Sequence, residues 1–428
     1  MGSMNSSPRG TSSKFNFAWL VMVGCGLMVA GSISTLTVLS GNFYYAVSAD
    51  LNVDVSAFSF CATMVILGAV LSMPVVSRVL SKINFRVVLP IFAVVLGAVL
   101  ALNSQFTEIW QFYVAGFVDG ICMGFLGMVT LNAVLGNWFR KKIGFAIGCA
   151  WAISSVYVAI MSPAMSTMIE QFGWRTSYLI VGAIAMALEL IATVLFVRYK
   201  PEDMGMTPYG AEVVDSDGAE TVTVEGVPAK KGIFSSAFVL VAAVMMLMQI
   251  SSVINSLFPT YAEVVGFGAQ VGALMISAAM ISDIFLNIII GASCDKLGAF
   301  KAIALWTVVT ILSLVMMIAV SDSPLLTIVA AAINDSMYVI CGVGLSALAI
   351  EVFGNLNFDK IYSWLYMLGY GLASFGGPLL LKAFEVTGSF QTVFVICIVL
   401  DIIIIGLSYL ASRAGKKLPR VTEEITVS

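Results

Sequence analysis

The sequence predicts an all-α membrane protein with twelve transmembrane helices in two pseudo-symmetric six-helix bundles. The first observation is composition: 60% of the 428 residues are hydrophobic, 11% are charged, and the mean hydropathy is +1.01. A soluble surface usually needs about 25% charged residues. The second is a series of apolar segments of about 20 residues, long enough to cross a bilayer as helices and too long for barrel strands. The third is a set of features that recur in both halves.

The apolar segments define the elements in order, and we number them spans 1 to 12. A single long polar segment, with the Pro, Gly and acidic residues typical of a linker, separates span 6 from span 7. The predicted spans lie near 17–40, 56–80, 85–103, 109–135, 143–169, 175–197, 234–260, 268–292, 299–320, 324–350, 358–383 and 388–411. The predicted domains are an N-terminal segment (1–16), a bundle (17–197), the linker (198–232), a second bundle (234–411) and a tail (412–428).

The distribution of basic residues predicts the orientation. If the spans alternate, all of the 21 Lys and Arg except Arg175 and Lys382 fall on one side of the membrane. The positive-inside rule assigns that side to the cytoplasm. We therefore expect a multi-pass protein of the plasma (inner) membrane with both termini and the linker in the cytoplasm.

Several features repeat at nearly one offset between the halves, which indicates a duplication. They are the loops after spans 2 and 8 (SRVLSKINFR, 77–86, and GASCDKLGAFK, 291–301), the junctions GNWFRKKI (136–143) and GNLNFDKI (354–361), the pair Asp119 and Asp335, and the pair Glu189 and Asp401.

Parallel six-helix repeats around a cytoplasmic linker resemble the major facilitator superfamily, and the loops carry that family's gate motif. In the motif a Gly lets a helix end pack closely, an Asp caps the next helix, and basic residues mark the cytoplasmic side. The second loop keeps Gly291, Asp295, Lys296, Gly298 and Lys301, whereas the first has Ser77, Ser81 and Asn84 at the Gly, Asp and Gly positions beside Lys82 and Arg86. The resemblance also implies that spans 1, 4, 7 and 10 line a central cavity.

Four stretches resemble the oxalate/formate antiporter and monocarboxylate carrier group, which implies small carboxylates as substrates. They are GNFYYAVSADLNVDVSAFS (41–59), NWFRKKIGFAIG (137–148), FGWRTSYLIVGAI (172–184) and KPEDMGMTPYG (200–210). Those carriers place a cation in span 8, where this chain has Asn287, and some place a Lys in span 11, near Gly369 here. A carboxylate substrate would therefore find hydrogen-bond donors and helix dipoles in the predicted spans rather than a fixed cation.

The ionisable groups inside the spans are acids, chiefly Asp119, Asp283 and Asp335. A charged acid at mid-bilayer costs on the order of 3 kcal/mol, and protonation removes that cost. These acids are candidates for proton coupling or for binding a cationic group. The alternative is a structural acid hydrogen-bonded to backbone or Ser/Thr of a neighbouring helix.

Polar and aromatic residues in the same spans indicate a binding chamber. An aromatic stripe on span 11 suits a flat or amphiphilic solute, and its alternative interpretation is helix packing or an interfacial belt. The candidates are Gln249 and Asn255 in span 7, Asn287 in span 8, Asn334 and Tyr338 in span 10, Tyr362, Tyr366 and Tyr370 in span 11, and Trp151 in span 5.

The sequence favours a secondary transporter that moves a small organic acid or a neutral aromatic compound by alternating access with protons. An exporter of lipophilic or cationic compounds, with a membrane acid as counter-ion, is the alternative. The sequence has no His, phosphate loop, nucleophile elbow or metal cluster, which disfavours an enzyme, and no pore loop or sensor domain, which disfavours a channel or receptor. We expect no cofactor, metal or nucleic acid partner, and a monomer that interacts with solute, protons and lipid.

Overall fold

A computed structural model describes residues 17–82, 85–210, 220–319 and 322–427. Eleven helical segments in this part are long and apolar enough to cross a membrane. One of them, Ile143–Phe196, has 54 residues, and a straight helix of that length would measure about 81 Å. It is broken at Gly173, whose φ of 77° and ψ of 161° are not helical, and it therefore supplies two spans. The twelve predicted spans are confirmed within the described residues.

The observed helices begin and end within a few residues of the predicted ones. A further helix, Gly41–Leu51, continues span 1 beyond a short turn. In chain order the spans are Ala18–Thr37, Val55–Lys82, Phe85–Leu102, Ile109–Trp138, the two parts of Ile143–Phe196, Ser236–Val264, Ala269–Leu297, Ala299–Ala319, Pro324–Phe353, Phe358–Ala373 with Gly376–Thr387, and Phe390–Gly415. The limits of the two bundles stay a prediction.

We call the face where span 1 begins and span 12 ends the terminal face, and the opposite one the loop face. Spans 2 and 4 cross at two glycines: a Cβ added at Gly68 would lie 2.3 Å from the Phe117 carbonyl oxygen, and one at Gly120 would lie 2.0 Å from that of Val65. Small residues let backbones approach in lipid, where packing replaces the hydrophobic effect between helices. These glycines fix the two helices in contact.

The first and fourth helices of each half are irregular near mid-depth. Span 1 contains a π-helical segment, Ala30–Ser34, and span 4 is broken at Gly127. Span 7 has a one-residue irregularity at Val253 and span 10 has one at Asp335, although both residues keep right-handed helical backbone angles. Interrupted helices free backbone groups at membrane depth, a feature of transporter binding regions. The irregularities repeat the two-fold relation between the halves.

The two halves are packed together on the loop face. The hydrophobic core of the N-terminal half continues into loop-side residues of the other half, such as Leu257, Met275 and Leu380. Terminal-side residues of the C-terminal half, including Val244 and Phe353, form a separate core. The structure is therefore closed between the halves on the loop face.

The linker contacts both halves at equivalent places. The Tyr209 amide donates to the Trp138 carbonyl (2.7 Å) after span 4, and the Val227 amide donates to that of Phe353 (2.8 Å) at the end of span 10. Strands Glu220–Gly226 and Val421–Val427 then pair antiparallel. The linker and the tail thus contain a two-stranded ribbon that composition does not predict.

Candidate substrate and proton site

Asp283 lies where the two halves meet at the middle of the membrane. Ser155 of span 5 donates a hydrogen bond from Oγ to Asp283 Oδ2 (2.8 Å), and Asn287 Nδ2 donates to Oδ1 (3.0 Å). Both carboxylate oxygens therefore have donors, one of them from the opposite half. A hydrogen bond to a charged group contributes about 1.5–3 kcal/mol. The ionised form of Asp283 thus favours the arrangement that holds spans 5 and 8 together.

Spans 10 and 11 of the C-terminal half carry the predicted tyrosines. Tyr338 lies on span 10, three residues after Asp335. Tyr366 and Tyr370 stack with ring centroids 4.9 Å apart, and the Tyr362 hydroxyl pairs with Ser346 Oγ at 3.0 Å. Tyr362 of the predicted stripe therefore contacts span 10, and Tyr366 and Tyr370 pack against each other.

Asp335 is fully buried at the irregularity in span 10. Asn255 Nδ2 of span 7 donates to its Oδ1 (2.8 Å), while Oδ2 has no hydrogen-bond partner among the described residues. The neighbouring Asn334 donates to Ser313 Oγ (3.0 Å) inside the same half. This environment fits the structural alternative as well as a proton site.

Asp119 lies against a small cavity inside the N-terminal half. The carboxylate is 2% exposed, and its Oδ1 has no hydrogen-bond partner in the described structure. The family resemblance implies that Asp119 and Asp335 face a central cavity between the halves. In the structure, Asp119 lines a cavity formed by its own half, and Asp335 accepts a hydrogen bond from span 7 of its own half.

Two other predicted chamber residues are partly buried on spans that border the interface. Trp151 lies one turn before Ser155 on span 5, and its carbonyl oxygen is 3.2 Å from Ser155 Oγ. The Gln249 carbonyl accepts from Ser252 Oγ (2.9 Å) just before the irregularity in span 7. Of the predicted set, Asp283 and Asn287 are hydrogen-bonded to each other, and Asp119 lies apart in the N-terminal half.

The described ion pairs lie at the two faces of the protein. Arg175, one of the two basic residues on the loop face, pairs with Asp50 at 2.5 Å. Lys382, the other, pairs with Asp54 at 3.0 Å and with Glu385 at 3.1 Å. Both exceptions to the charge asymmetry are thus neutralised by local acids.

The loop face is closed by contacts that sequence analysis did not find. Glu385 of span 11 accepts from the amide (2.8 Å) and the hydroxyl (2.6 Å) of Ser56, in the first turn of span 2. A carboxylate at a helix N-terminus is also favoured by the helix dipole. Close by, a Cβ added at Gly41 would lie 1.8 Å from the Ser256 carbonyl oxygen, so spans 1 and 7 touch through their backbones.

The second gate loop differs from the expected arrangement in two respects. The first turn of span 9 is capped by Glu351 of span 10, whose Oε2 accepts from the Ala299 amide at 3.1 Å, rather than by Asp295. A Cβ added at Gly291 would meet only Val343, at 4.0 Å, so this Gly is not needed for close packing. Gly298 has φ of +84°, which favours glycine.

The basic residues of the gate motif are only partly described. Lys296, Lys301 and Arg86 are exposed at the terminal face. The side chains of Ser77 and Lys82 lie outside the described residues.

The residues missed by sequence analysis are polar groups that act across long separations. Ser155 is one of many span serines, and its partner Asp283 is 128 positions away. Glu385 and Ser56 are 329 positions apart. Among these residues, only Asp283 could be singled out from the sequence. An acid on an apolar helix is unusual, whereas a serine in a span is common.

A family model described as the Major Facilitator Superfamily matches residues 20–378. Among curated proteins, monocarboxylate transporter 3 of Gallus gallus is 25% identical over 51% of this chain and 39% of its own length. Monocarboxylate transporter 12-B of Danio rerio is 25% identical over 65% of this chain and 62% of its own length. This chain therefore covers less than two thirds of these relatives.

Solved structures share the fold at low sequence identity. The nucleoside transporter NupG has a TM-score of 0.68, 13% identity, and covers 95% of this chain and 100% of its own. A bacterial homologue of the human lysosomal transporter Spinster, in an inward-facing and occupied conformation, has a TM-score of 0.66 and 12% identity, and covers 93% of this chain and 96% of its own. At these identities the likeness concerns the fold.

Proposed function

Because this chain belongs to the Major Facilitator Superfamily, we propose that it moves a small organic solute by alternating access, with protons as the coupling ion. The solute is an organic acid or a neutral aromatic compound. The observation that carries the proposal is the position of Asp283, whose two oxygens accept from Ser155 of one half and Asn287 of the other. A proton on this carboxylate weakens a contact between the halves.

The predicted chamber residues support the substrate class. Asn287 stands where carboxylate carriers keep a cation, and Tyr338, Tyr366 and Tyr370 supply hydroxyls and aromatic faces. Such a chamber binds a monoanion or a neutral solute by hydrogen bonds and stacking rather than by ion pairing. The named relatives are monocarboxylate transporters, which agrees with a small acid.

Closure of the loop face supports alternating access. The contacts of Gly41 with Ser256 and of Glu385 with Ser56 separate the chamber from that face. When the two bundles rock about the level of Asp283, the loop face opens and the terminal face closes. The charge asymmetry supports a cytoplasmic terminal face, cytoplasmic termini and the plasma membrane as location. We propose a monomer as the working unit.

Uptake into proteoliposomes tests the proposal. Labelled small monocarboxylates and aromatic acids should accumulate when the outside is acidic, and uptake should saturate. Empty vesicles and vesicles with collapsed proton gradients are the controls. If no acid tested accumulates in response to the proton gradient, the proposal of proton coupling is wrong.

A cationic or lipophilic substrate is the second candidate, favoured by the unpartnered Oδ2 of the buried Asp335. In that case labelled amines, not acids, should be moved, and Asp335→Asn should abolish their transport while the protein remains folded. This alternative is excluded if Asp335→Asn takes up acids as fast as the wild type does and neither protein transports amines.

A further inference from the structure

The N-terminal half contains a partly enclosed cavity of about 40 Å³, whose lining extends from residues near the loop face to Asp119 at mid-depth. Asp119 lies at its inner end, ten residues or about 15 Å into span 4 from Ile109. Asn103, directly after span 3, lies at its outer end. All lining residues belong to this half and lie in spans 1, 2, 3, 4 and 6 or directly after spans 1 and 3. The cavity is therefore separate from the interface that holds Asp283.

Both ends of the cavity present a polar atom that lacks a protein partner. Asp119 Oδ1 and Asn103 Oδ1 are buried acceptors without a donor among the described residues. An unsatisfied buried acceptor costs about 1–3 kcal/mol. Thr35 and Ser40 add hydroxyl groups to the same lining. Since one water needs about 10–15 Å³ measured in this way, the cavity has room for more than one water to satisfy both acceptors.

The cavity is sealed on the side of the terminal face. Beyond Asp119, spans 2 and 4 are in backbone contact, since a Cβ at Gly120 would lie 2.0 Å from the Val65 carbonyl oxygen. Phe92 and Phe125 stack further along with centroids 3.9 Å apart. Water that reaches Asp119 through this cavity therefore comes from the loop face.

The equivalent acids of the other half are supplied with side-chain donors. Span 7 donates to both of them, through Asn255 to Asp335 and through Ser251 to Asp401 (2.8 Å each). In the N-terminal half, Asp119 Oδ1 and both oxygens of Glu189 have no described partner. Asp335 and Asp401 each have one oxygen with a side-chain donor and one without, whereas neither oxygen of Glu189 has a described partner. A buried carboxyl group without hydrogen-bond donors avoids the cost of an unpaired charge when it holds a proton.

We propose that Asp119 takes up a proton from the loop face through this water-filled path, independently of the central interface. A hydronium ion in the path gives its proton to an Asp119 carboxylate oxygen and leaves a neutral water. The titratable groups around Asp119 are Cys122 on its own helix, Cys61 of span 2, and Tyr178 and Glu189 of span 6. Asp119 is the one charged side chain among the described residues that line the cavity.

Infrared difference spectroscopy on sealed proteoliposomes of one orientation tests this path. Acidifying the loop-face side, with the other side buffered, should produce a carboxylic acid band that is absent in Asp119→Asn. Ala62→Leu fills the path from span 2 and should slow the appearance of the band at least ten-fold. Ala183→Leu adds the same atoms on the exposed side of span 6 and should leave the rate unchanged. A band that follows only the terminal-face pH, or that Ala62→Leu does not slow, overturns the proposal.

A second measurement uses the wild-type protein. Hydroxyl radicals formed from bound water should oxidise Phe112, which lines the path and is 2% exposed, at least five-fold more than Phe394, which is 1% exposed and lies outside this cavity. Equal oxidation of the two rings means that the cavity is dry and overturns the proposal. This proposal rests on proton coupling but can fail independently of it. The carboxylic acid band does not require transport, so a loss of transport alone does not contradict proton uptake by Asp119.

Discussion

At the scale of single residues, the hydrogen bond from Ser155 to Asp283 is the clearest link between the two halves. A double-mutant cycle of Ser155→Ala and Asp283→Ala should give a coupling free energy of about 1.5–3 kcal/mol in unfolding measurements at a pH where the acid is ionised. At acidic pH the coupling should fall toward that of a neutral hydrogen bond, about 0.5–1.5 kcal/mol.

Ser154 provides the matched control for this cycle. It is adjacent in sequence, but its hydroxyl pairs with Ser34 at 2.5 Å inside the N-terminal half. Ser154→Ala should lower stability without measurable coupling to Asp283→Ala. Equal coupling for the two serines contradicts a specific bond across the interface.

The pair of Asp50 and Arg175 predicts a pH effect at the loop face. A hydrogen bond from the Arg175 guanidinium holds the pKa of the Asp50 carboxyl below its usual range. Because the pKa is lower in the folded state, the pair stabilises the fold above the ordinary Asp pKa of about 3.9 and ceases to do so as pH falls through the folded-state value.

Asp50→Asn should therefore lower the melting temperature slightly at pH 7, and its difference from wild type should vanish in acid. Both side chains are nearly half exposed, so the effect is at most about 1 kcal/mol. Asp203→Asn, which alters an exposed acid at the terminal face, is the control. A constant difference at all pH values contradicts this account.

Sequence alone identifies candidate acids in the spans but not the groups that hydrogen-bond to them. Asp283 was identifiable because a carboxylate in an apolar helix is costly. Its donor Ser155, the cap Glu351 and the loop-face acid Glu385 were not, because each acts on a group brought near only by folding. Local composition carries no information about such contacts.

At the scale of helices, the contact of Gly41 with Ser256 holds spans 1 and 7 together on the loop face. Gly41→Ala places a Cβ 1.8 Å from a backbone oxygen, which cannot rotate away as a side chain can. We expect the amides of Gly41–Leu51 and Ile254–Val264 to exchange hydrogen at least ten-fold faster. Gly148→Ala, where an added Cβ meets nothing within 4 Å, should leave exchange unchanged. Unchanged exchange in Gly41→Ala means that this contact does not close the face.

The helices themselves were predictable because hydropathy and length determine them in a bilayer. All twelve spans lie within a few residues of the predicted ranges. Their irregularities at Gly127, Val253 and Asp335 were not predicted, since packing against neighbouring helices determines where a helix becomes irregular. The ribbon between linker and tail was missed because its strands are about 200 positions apart.

At the scale of the whole molecule, the two halves share a fold but differ in their buried acids. Asp335 and Asp401 have donors from span 7, whereas Asp119 Oδ1 and Glu189 lack described partners. Asp283 belongs to the interface between the halves. In the sequence, the pairs Asp119 with Asp335 and Glu189 with Asp401 indicate the duplication. In the structure, the two members of each pair have different hydrogen-bond environments.

The measurement that tests proton coupling at Asp283 most directly compares two modes of solute movement in one variant. Asp283→Asn keeps the donors around the site and removes the titrating group. In proteoliposomes it should retain exchange of labelled for unlabelled solute across the membrane and lose accumulation driven by an acidic outside. Accumulation at the wild-type level, with wild-type dependence on the proton gradient, would contradict the account.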